Sequence, residues 1–255
     1  MKSARAHASQ KGRPPGSKGR TAEPAQPLRR NRLITHLPRS ERARLLSVCE
    51  TVPMRAGVSI GEAGARSTHI LFPLSGFVSL TAEVEGHPPL GMSLIGNEGM
   101  VGMTLVLGVD AAPARSVVQG SGSALRVLPE QFRSALKDCP RLRRTLDRYL
   151  HVQMVQLSQN AACIHFHFIE ARLARQLLMT QDCVGEDHFH LTHQCLADLL
   201  GVRRSAITLA AGALRAHRAI SYSRGNIRIL DRERLEGASC ACYGLGVDAY
   251  AAWLP

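Results

Sequence analysis

The residues best suited to chemistry are six arginines in a 32-residue stretch, between Asp198 and Asp231, that contains no acidic side chain. They are Arg203, Arg204, Arg215, Arg218, Arg224 and Arg228. An arginine attracts phosphate through its charge and can donate two hydrogen bonds to one guanine. Because a solvated protein face usually mixes both signs of charge, this pattern indicates a surface that binds nucleic acid.

The beginning of this stretch and the residues just before it have the pattern of a helix-turn-helix. Thr192 is a plausible N-cap of the first helix, Ala197 is small where two helices would cross, Gly201 suits a turn that needs a positive φ, and Val202 fills that turn. The predicted inner faces are formed by Leu196, Leu200, Ile207 and Ala210. An ordinary helical hairpin is the alternative interpretation.

Residues 220–230 alternate apolar and polar side chains around Arg-Gly-Asn, which predicts a β-hairpin, or wing. A winged helix-turn-helix inserts its second helix into the major groove, N-terminus first. The predicted DNA-contacting residues are Thr192, Gln194, Arg203, Arg204, Ser205, Thr208, Arg224 and Arg228. We expect Arg204 to be the main base reader, and Arg224 and Arg228 to contact phosphates.

Two further elements must position this region. Residues 57–122 contain twelve glycines between short apolar runs, and residues 78–85 alternate as in a half-buried strand, with a second strand at 90–95. This predicts an antiparallel sandwich or barrel. Before it, residues 33–48 have helical spacing, with a start signal at Pro38.

Residues 141–184 contain neither glycine nor proline, which predicts long helices. Leu142, Leu146, Leu150 and Met154 recur at four-residue spacing, and further apolar residues widen the stripe. The extra width predicts a homodimer in which a partner helix covers part of this face. We expect a break near residues 163–167 and a following helix over about 169–180.

Charge and composition set the context. The 255 residues have a formal charge of +12, and +7 of it lies in residues 1–30, which we interpret as a disordered basic tail. Solubility is its simplest role, and nonspecific tethering to DNA is the alternative.

The longest apolar run, residues 100–109, is too short to span a membrane. Seven scattered cysteines and the lack of a secretory signal suggest a reduced, cytoplasmic protein.

With these elements in order, the chain resembles the Crp/Fnr family of bacterial transcription regulators. The segments that support the resemblance are residues 72–80, residues 96–102, the Arg115-Ser116 pair and the helix-turn-helix. The resemblance implies an α+β fold with an N-terminal antiparallel, jelly-roll-like β-roll similar to cyclic-nucleotide-binding domains (31–135), a dimerisation helix (136–164) and a winged helix-turn-helix domain (165–235). Residues 236–255 would form a C-terminal tail.

The resemblance also suggests where an effector would bind. Gly102, Arg115 and Ser116 match the family's phosphate cassette, but Met103 stands where cyclic-nucleotide-binding members have glutamate. We therefore expect no cyclic AMP binding, and either a different anion or an internal ion pair for Arg115. Ser205 and Leu209 likewise replace residues common in the family's recognition helix, so the operator should differ.

Other chemistries find little support in the sequence. Residues 1–48 contain no cysteine, which excludes the N-terminal iron–sulfur cluster of the oxygen-sensing branch. Cys163 and His167 would share a helix face, and Cys240-Ala-Cys242 is a short pair, but no Cys-x-x-Cys spacing occurs, so we expect no metal and no cofactor. No catalytic motif is present, and we expect no enzyme activity.

The sequence thus predicts a homodimeric, cytoplasmic regulator that binds promoter DNA, works with RNA polymerase and responds to an unidentified effector. Two alternatives stay open. One is a small-molecule- or redox-sensing module for protein interaction, and the other is a nonspecific DNA-packaging protein.

Overall fold

The computed structural model describes residues 30–254. Apart from Arg30, the predicted basic tail lies outside the described residues. Within residues 30–254, no helix is both long and apolar enough to span a membrane.

The N-terminal part of the described chain is an antiparallel β-roll. Its strands are β1 (Glu50–Met54), β2 (Ser59–Gly61), β3 (Ile70–Ala82), β4 (Leu90–Ile95) and β5 (Arg115–Val127). They pair in the order β1-β5-β3-β4, and β2 also pairs with β5. Two short helices, α1 (Arg32–Thr35) and α2 (Arg39–Leu46), precede the sheet, and Pro38 is the N-cap just before the second, where the sequence predicts a start.

The expectation that residues 78–85 form a half-buried strand is wrong, because β3 ends at Ala82 and residues 78–81 are buried on both faces. Val78 and Leu80 face one apolar cluster, but Ser79 and Thr81 on the opposite face are also buried. The reason is that helices from the C-terminal domain cover this second face, where Phe77 joins their core. A polar strand face is therefore enclosed by tertiary packing that no local pattern encodes.

Three helices follow the sheet. They are α3 (Pro129–Asp138), α4 (Pro140–Phe166) and α5 (Ile169–Val184). A 3-10 turn at Met103–Leu107 lies earlier in the chain, between β4 and β5. Cys139 separates α3 from α4 with a non-helical backbone, because the residue before a proline avoids helical angles. The helix interpreted as residues 136–164 thus runs from Pro140 to Phe166, and the predicted break falls at residues 167–168.

The C-terminal domain is a winged helix-turn-helix. It contains β6 (His188–His190), α6 (His193–Leu200), α7 (Arg204–Ala216), β7 (Ile220–Ser223) and β8 (Asn226–Ile229), and the strands are ordered β6-β8-β7. The segment 236–255, interpreted as a tail, is largely helical where it is described. After α8 (Arg232–Ala238), α9 (Cys242–Trp253) packs against α4.

Candidate nucleic-acid interface

The turn between α6 and α7 has the predicted construction. The Thr192 hydroxyl accepts a hydrogen bond from the Cys195 amide at 3.1 Å, which caps α6. Gly201 ends the helix with φ 63°, and the Val202 amide then donates to the Ala197 carbonyl. Each local signal in the sequence therefore corresponds to a contact that holds the turn.

The inner faces of the two helices are also as predicted. Leu196 and Leu200 of α6 pack in one core cluster with Ile207 and Ala210 of α7. Ala197, at the crossing, is 1% exposed. This packing fixes which side of α7 is left for solvent.

The outward side of α7 presents the predicted contact residues. Arg203, Arg204, Ser205 and Thr208 are all exposed at the N-terminal end of the helix. The Thr208 hydroxyl donates to the Arg204 carbonyl at 3.1 Å, while Arg203 and Arg204 remain free of ion pairs with any residue in 30–254. On α6, exposed Gln194 donates to Asp198 at 2.8 Å.

One histidine connects α6, α7 and the wing. His193 stacks on Tyr222 of β7 with ring centroids 4.1 Å apart, and its Nδ1 lies 3.1 Å from the Thr208 hydroxyl. Burial lowers the pKa of His193, and the positive charge of Arg204 lowers it further. The sequence prediction missed this role of His193, which no local pattern signals.

The wing turns at Arg224 and Gly225, whose φ values are 49° and 87°. Two successive left-handed residues make the type I′ turn that matches the twist of a hairpin. Arg224 is exposed at the tip, and Arg228 is exposed on β8, opposite Ser221 of β7. Both predicted phosphate-contacting residues are therefore on the solvent side.

The acid-free stretch keeps its charge unpaired in three dimensions. Its six arginines form no ion pair with any residue that the structure describes. The ion pairs that flank it, such as Arg234 with Asp231, involve other arginines. The surface of α7 and the wing is therefore strongly positive.

Two of the three predicted effector residues, Gly102 and Ser116, line a small cavity in the β-roll. Gly102, Met103 and Ser116 line a space of about 100 Å³. Arg115 does not line it, because its guanidinium pairs with Glu83 at 3.0 Å and with Glu62 at 3.4 Å. Gly102 has φ 90°, which allows the chain to turn into the 3-10 segment.

A second group of reactive side chains comes together where the sequence predicts no metal site. Cys163, His167, Cys240 and Cys242 place their ligand atoms within 4.8 Å of one another. Burial raises the pKa of the Cys163 thiol to about 12 and also raises the pKa of Cys242. The signals available in the sequence were the four-residue spacing of Cys163 and His167 and the Cys-x-Cys pair, but only the fold brings them together.

Comparison with known proteins agrees with this geometry. Residues 171–238 match the family model of the Crp-like helix-turn-helix domain. Among curated proteins, no sequence matches the chain significantly.

Solved structures share the fold across both domains. FixK2 from Bradyrhizobium japonicum is similar with a TM-score of 0.63 at 12% identity, covering 76% of this chain and 98% of that one. CLP, a c-di-GMP-responsive global regulator from Xanthomonas campestris, gives 0.62 at 17% identity, with 75% and 99% covered. A CRP/FNR-family transcriptional regulator from Thermus thermophilus gives 0.59 at 22% identity, with 74% and 98% covered.

At these low identities, the structural similarity establishes a common fold but does not transfer the function of any of these proteins to this chain. The family match lies on the winged domain, and the structural similarity extends over the β-roll and the long helix. The chain therefore has the architecture of a Crp/Fnr-type transcriptional regulator, with a Crp-like helix-turn-helix domain at residues 171–238.

Proposed function

We propose that the protein binds promoter DNA sequence-specifically as a homodimer and regulates transcription with RNA polymerase in the cytoplasm. The observation that supports this most directly is the exposed, acid-free surface of α7 and the wing, whose six arginines have no ionic partner within residues 30–254. A phosphate backbone supplies the missing negative charge.

Each contact residue takes a role set by its position. Arg204, in the first turn of α7, enters the major groove and donates two hydrogen bonds to guanine. Arg203 and Ser205 flank it, and Leu209, which is 76% exposed, offers an apolar contact for a thymine methyl group. The remaining predicted residues contact the DNA backbone or lie next to the residues that read the bases. They are Thr192, Gln194, Thr208, Arg224 and Arg228.

The apolar pattern on α4 supports the homodimer. Its apolar residues recur at alternating four- and three-residue steps, the heptad spacing of a coiled coil. These residues, here named the α4 seam, are Leu150, Met154, Leu157, Ala161 and Ile164. Met154 is 61% exposed, and Phe168, just beyond the end of the helix, is 89% exposed, while the polar Gln153 of the adjacent face is buried. Within the seam, Met154 and Ala161 are exposed, and Leu150, Leu157 and Ile164 are half-buried. An apolar seam left partly open beside a buried glutamine is suited to a partner helix.

The β-roll is unsuited to cyclic AMP. Its cavity of about 100 Å³ is below the roughly 300–1,000 Å³ of typical ligand sites. Arg115 is engaged by Glu62 and Glu83, and Met103 supplies no carboxylate for a ribose hydroxyl. We therefore propose that the β-roll binds an effector of another chemical class. Gly102, Arg115 and Ser116 are the residues to test first.

The decisive experiment is selection of bound sites from random DNA, followed by binding of the Arg204→Ala variant. We expect this variant to lose about 5- to 150-fold in affinity per half-site for the selected sequence, since a bidentate base contact discriminates by about 1–3 kcal/mol. Affinity for unrelated DNA should change little. The control is Arg126→Ala, which removes an exposed arginine paired with Glu50 on the β-roll.

Two results would contradict the proposal. An equal loss of affinity on every sequence would indicate a DNA-packaging protein. A chain that selects no sequence and binds DNA no more tightly than Arg204→Ala would indicate a protein-interaction module. For the sensor, calorimetry with cyclic AMP should give no isotherm.

A further inference from the structure

Four metal-binding side chains from two distant segments meet at the junction between α4 and α5. Cys163 lies in the last turn of α4, and His167 follows the end of that helix. Cys240 and Cys242 lie between α8 and the start of α9, 77 residues beyond Cys163 in the case of Cys240. All four ligand atoms lie within 4.8 Å of one another.

The distances have the scale of a tetrahedral site. Zinc bound by sulfur at about 2.3 Å and by nitrogen at about 2.0–2.1 Å holds its ligand atoms about 3.6–3.8 Å apart. The Cys163 and Cys240 sulfurs are 3.5 Å apart, and the Cys242 sulfur is 3.6 Å from the His167 Nδ1. We propose that Cys163, His167, Cys240 and Cys242 bind one tetrahedral divalent ion, zinc being the best match.

The ligand chemistry favours a single ion over an iron–sulfur cluster. In a cluster the four protein ligands are divided among two or more irons, and ligands of different irons stand farther apart than the ligands of one ion. Here the longest separation is within 4.8 Å. Three thiolates and one imidazole form one of the common structural zinc sets.

The surroundings suit the charge that the bound site would have. Zn²⁺ with three thiolates and a neutral histidine leaves one net negative charge. Arg175 lies close enough to lower the pKa of both Cys163 and Cys242, and its buried Nε has no hydrogen-bond partner within residues 30–254. The three cysteines are buried, while His167 is half-buried.

The position of the site gives it a mechanical consequence, which rests on the proposed DNA binding. Residues 167–168 join α4 to the winged domain, and Cys240 follows that domain directly. An ion held by both segments fixes the angle at which the winged domain leaves the long helix. Metal loading should therefore change the affinity for an operator.

The test measures metal before any DNA is added. The full-length protein, purified under reductant, should contain about one zinc per chain by elemental analysis, and Co²⁺ should replace it with thiolate-to-cobalt absorption. A variant with both Cys240→Ser and Cys242→Ser should lose the metal. Cys49→Ser, which changes a half-buried cysteine outside the cluster, should keep it.

A variant that keeps a metal ligand at position 167 distinguishes loss of the ion from misfolding. His167→Cys supplies a fourth thiolate and should retain one ion, whereas His167→Ala should bind it more weakly. Wild-type protein with no more metal than the double serine variant would overturn the proposal. So would a Cys163–Cys240 disulfide in the reduced preparation, or the sulfide and iron of a cluster. Because these readouts need no DNA, their failure is separate from failure of the proposed function.

Discussion

Arg224 occupies a backbone conformation that is unfavourable for arginine. It has φ 49° at the tip of the wing, a region where a residue other than glycine or asparagine costs about 1–2 kcal/mol. Asparagine or glycine would be the ordinary choice for a type I′ turn. A strained arginine at an exposed tip supports a charged contact to phosphate, because neither replacement carries a positive charge.

We expect Arg224→Asn to raise stability and weaken DNA binding together. The substitution relieves the left-handed backbone, so the free energy of unfolding should rise by up to about 1 kcal/mol. Affinity should fall on all sequences alike, and the slope of log affinity against log salt should drop by about 1 per wing. Thermal unfolding and salt titrations measure both effects.

Arg228→Asn is the matched control, because Arg228 is exposed on the same wing but lies in a regular strand. It should weaken binding without a gain in stability. A loss of sequence preference in either variant would contradict the assignment of the wing to phosphate contacts.

We expect His193 to make the stability of the winged domain sensitive to acid. Its pKa in the folded protein is lowered, first by burial and then by Arg204. Below the unfolded value of about 6.5, the unfolded chain therefore binds the proton more readily than the folded one. The contribution of His193 to stability is present above that pH and is lost as the pH falls below it.

Urea unfolding between pH 7.5 and 5.5 tests this expectation. Stability should decline on acidification in the wild type, and the decline should be smaller in His193→Gln. His87→Gln, which alters an exposed histidine in the β3–β4 connection, should leave the slope as it is in the wild type. An identical slope in the His193 variant would contradict the prediction.

At the scale of elements, the docking of α6 on the sheet depends on a glycine in β4. A Cβ atom added to Gly91 would lie 2.5 Å from the Leu199 carbonyl oxygen. Around this contact, the Cys195 thiol lies 2.9 Å from the Gln119 side-chain oxygen, and Asn160 donates to the Gly91 carbonyl at 3.1 Å. The winged domain is therefore fitted closely to the β-roll.

We expect Gly91→Ala to separate these two domains locally, because the atoms that the new Cβ would meet are backbone atoms of Leu199, which can move only if α6 moves. Overpacking of this kind costs about 1–3 kcal/mol. Amide exchange should increase in α6 and β4 while the far side of the β-roll stays protected. Gly212→Ala is the control, since its added Cβ would meet nothing within 4 Å, and removing a helical glycine should stabilise α7 by about 1 kcal/mol.

At the scale of the whole molecule, we expect the α4 seam to determine the assembly. A lysine in the middle of the seam would place two charges in an apolar interface, which is costly without partners. We expect Met154→Lys to be monomeric by sedimentation at micromolar concentration and to bind a selected operator much more weakly. Gln159→Lys, at the heptad position farthest from the seam, should remain dimeric. A wild-type protein that sediments as a monomer would refute the homodimer.

Much of the candidate interface could be predicted because its signals are local. A cap such as Thr192, a positive-φ glycine such as Gly201 and the alternation of the wing each act within a few residues. The helical spacing of residues 141–184 similarly predicted helices, since a periodic apolar face needs no knowledge of its partner. These features are determined by the sequence alone.

Only the tertiary structure decided what those elements face. It enclosed Ser79 and Thr81 beneath the winged domain, paired Arg115 with Glu62 and Glu83, and brought the Cys163 sulfur to within 3.5 Å of the Cys240 sulfur. Such contacts join segments tens of residues apart, and their formation depends on how whole elements pack. A periodic pattern indicates that a face will be buried, but the identity of the covering element is settled only when the chain has folded.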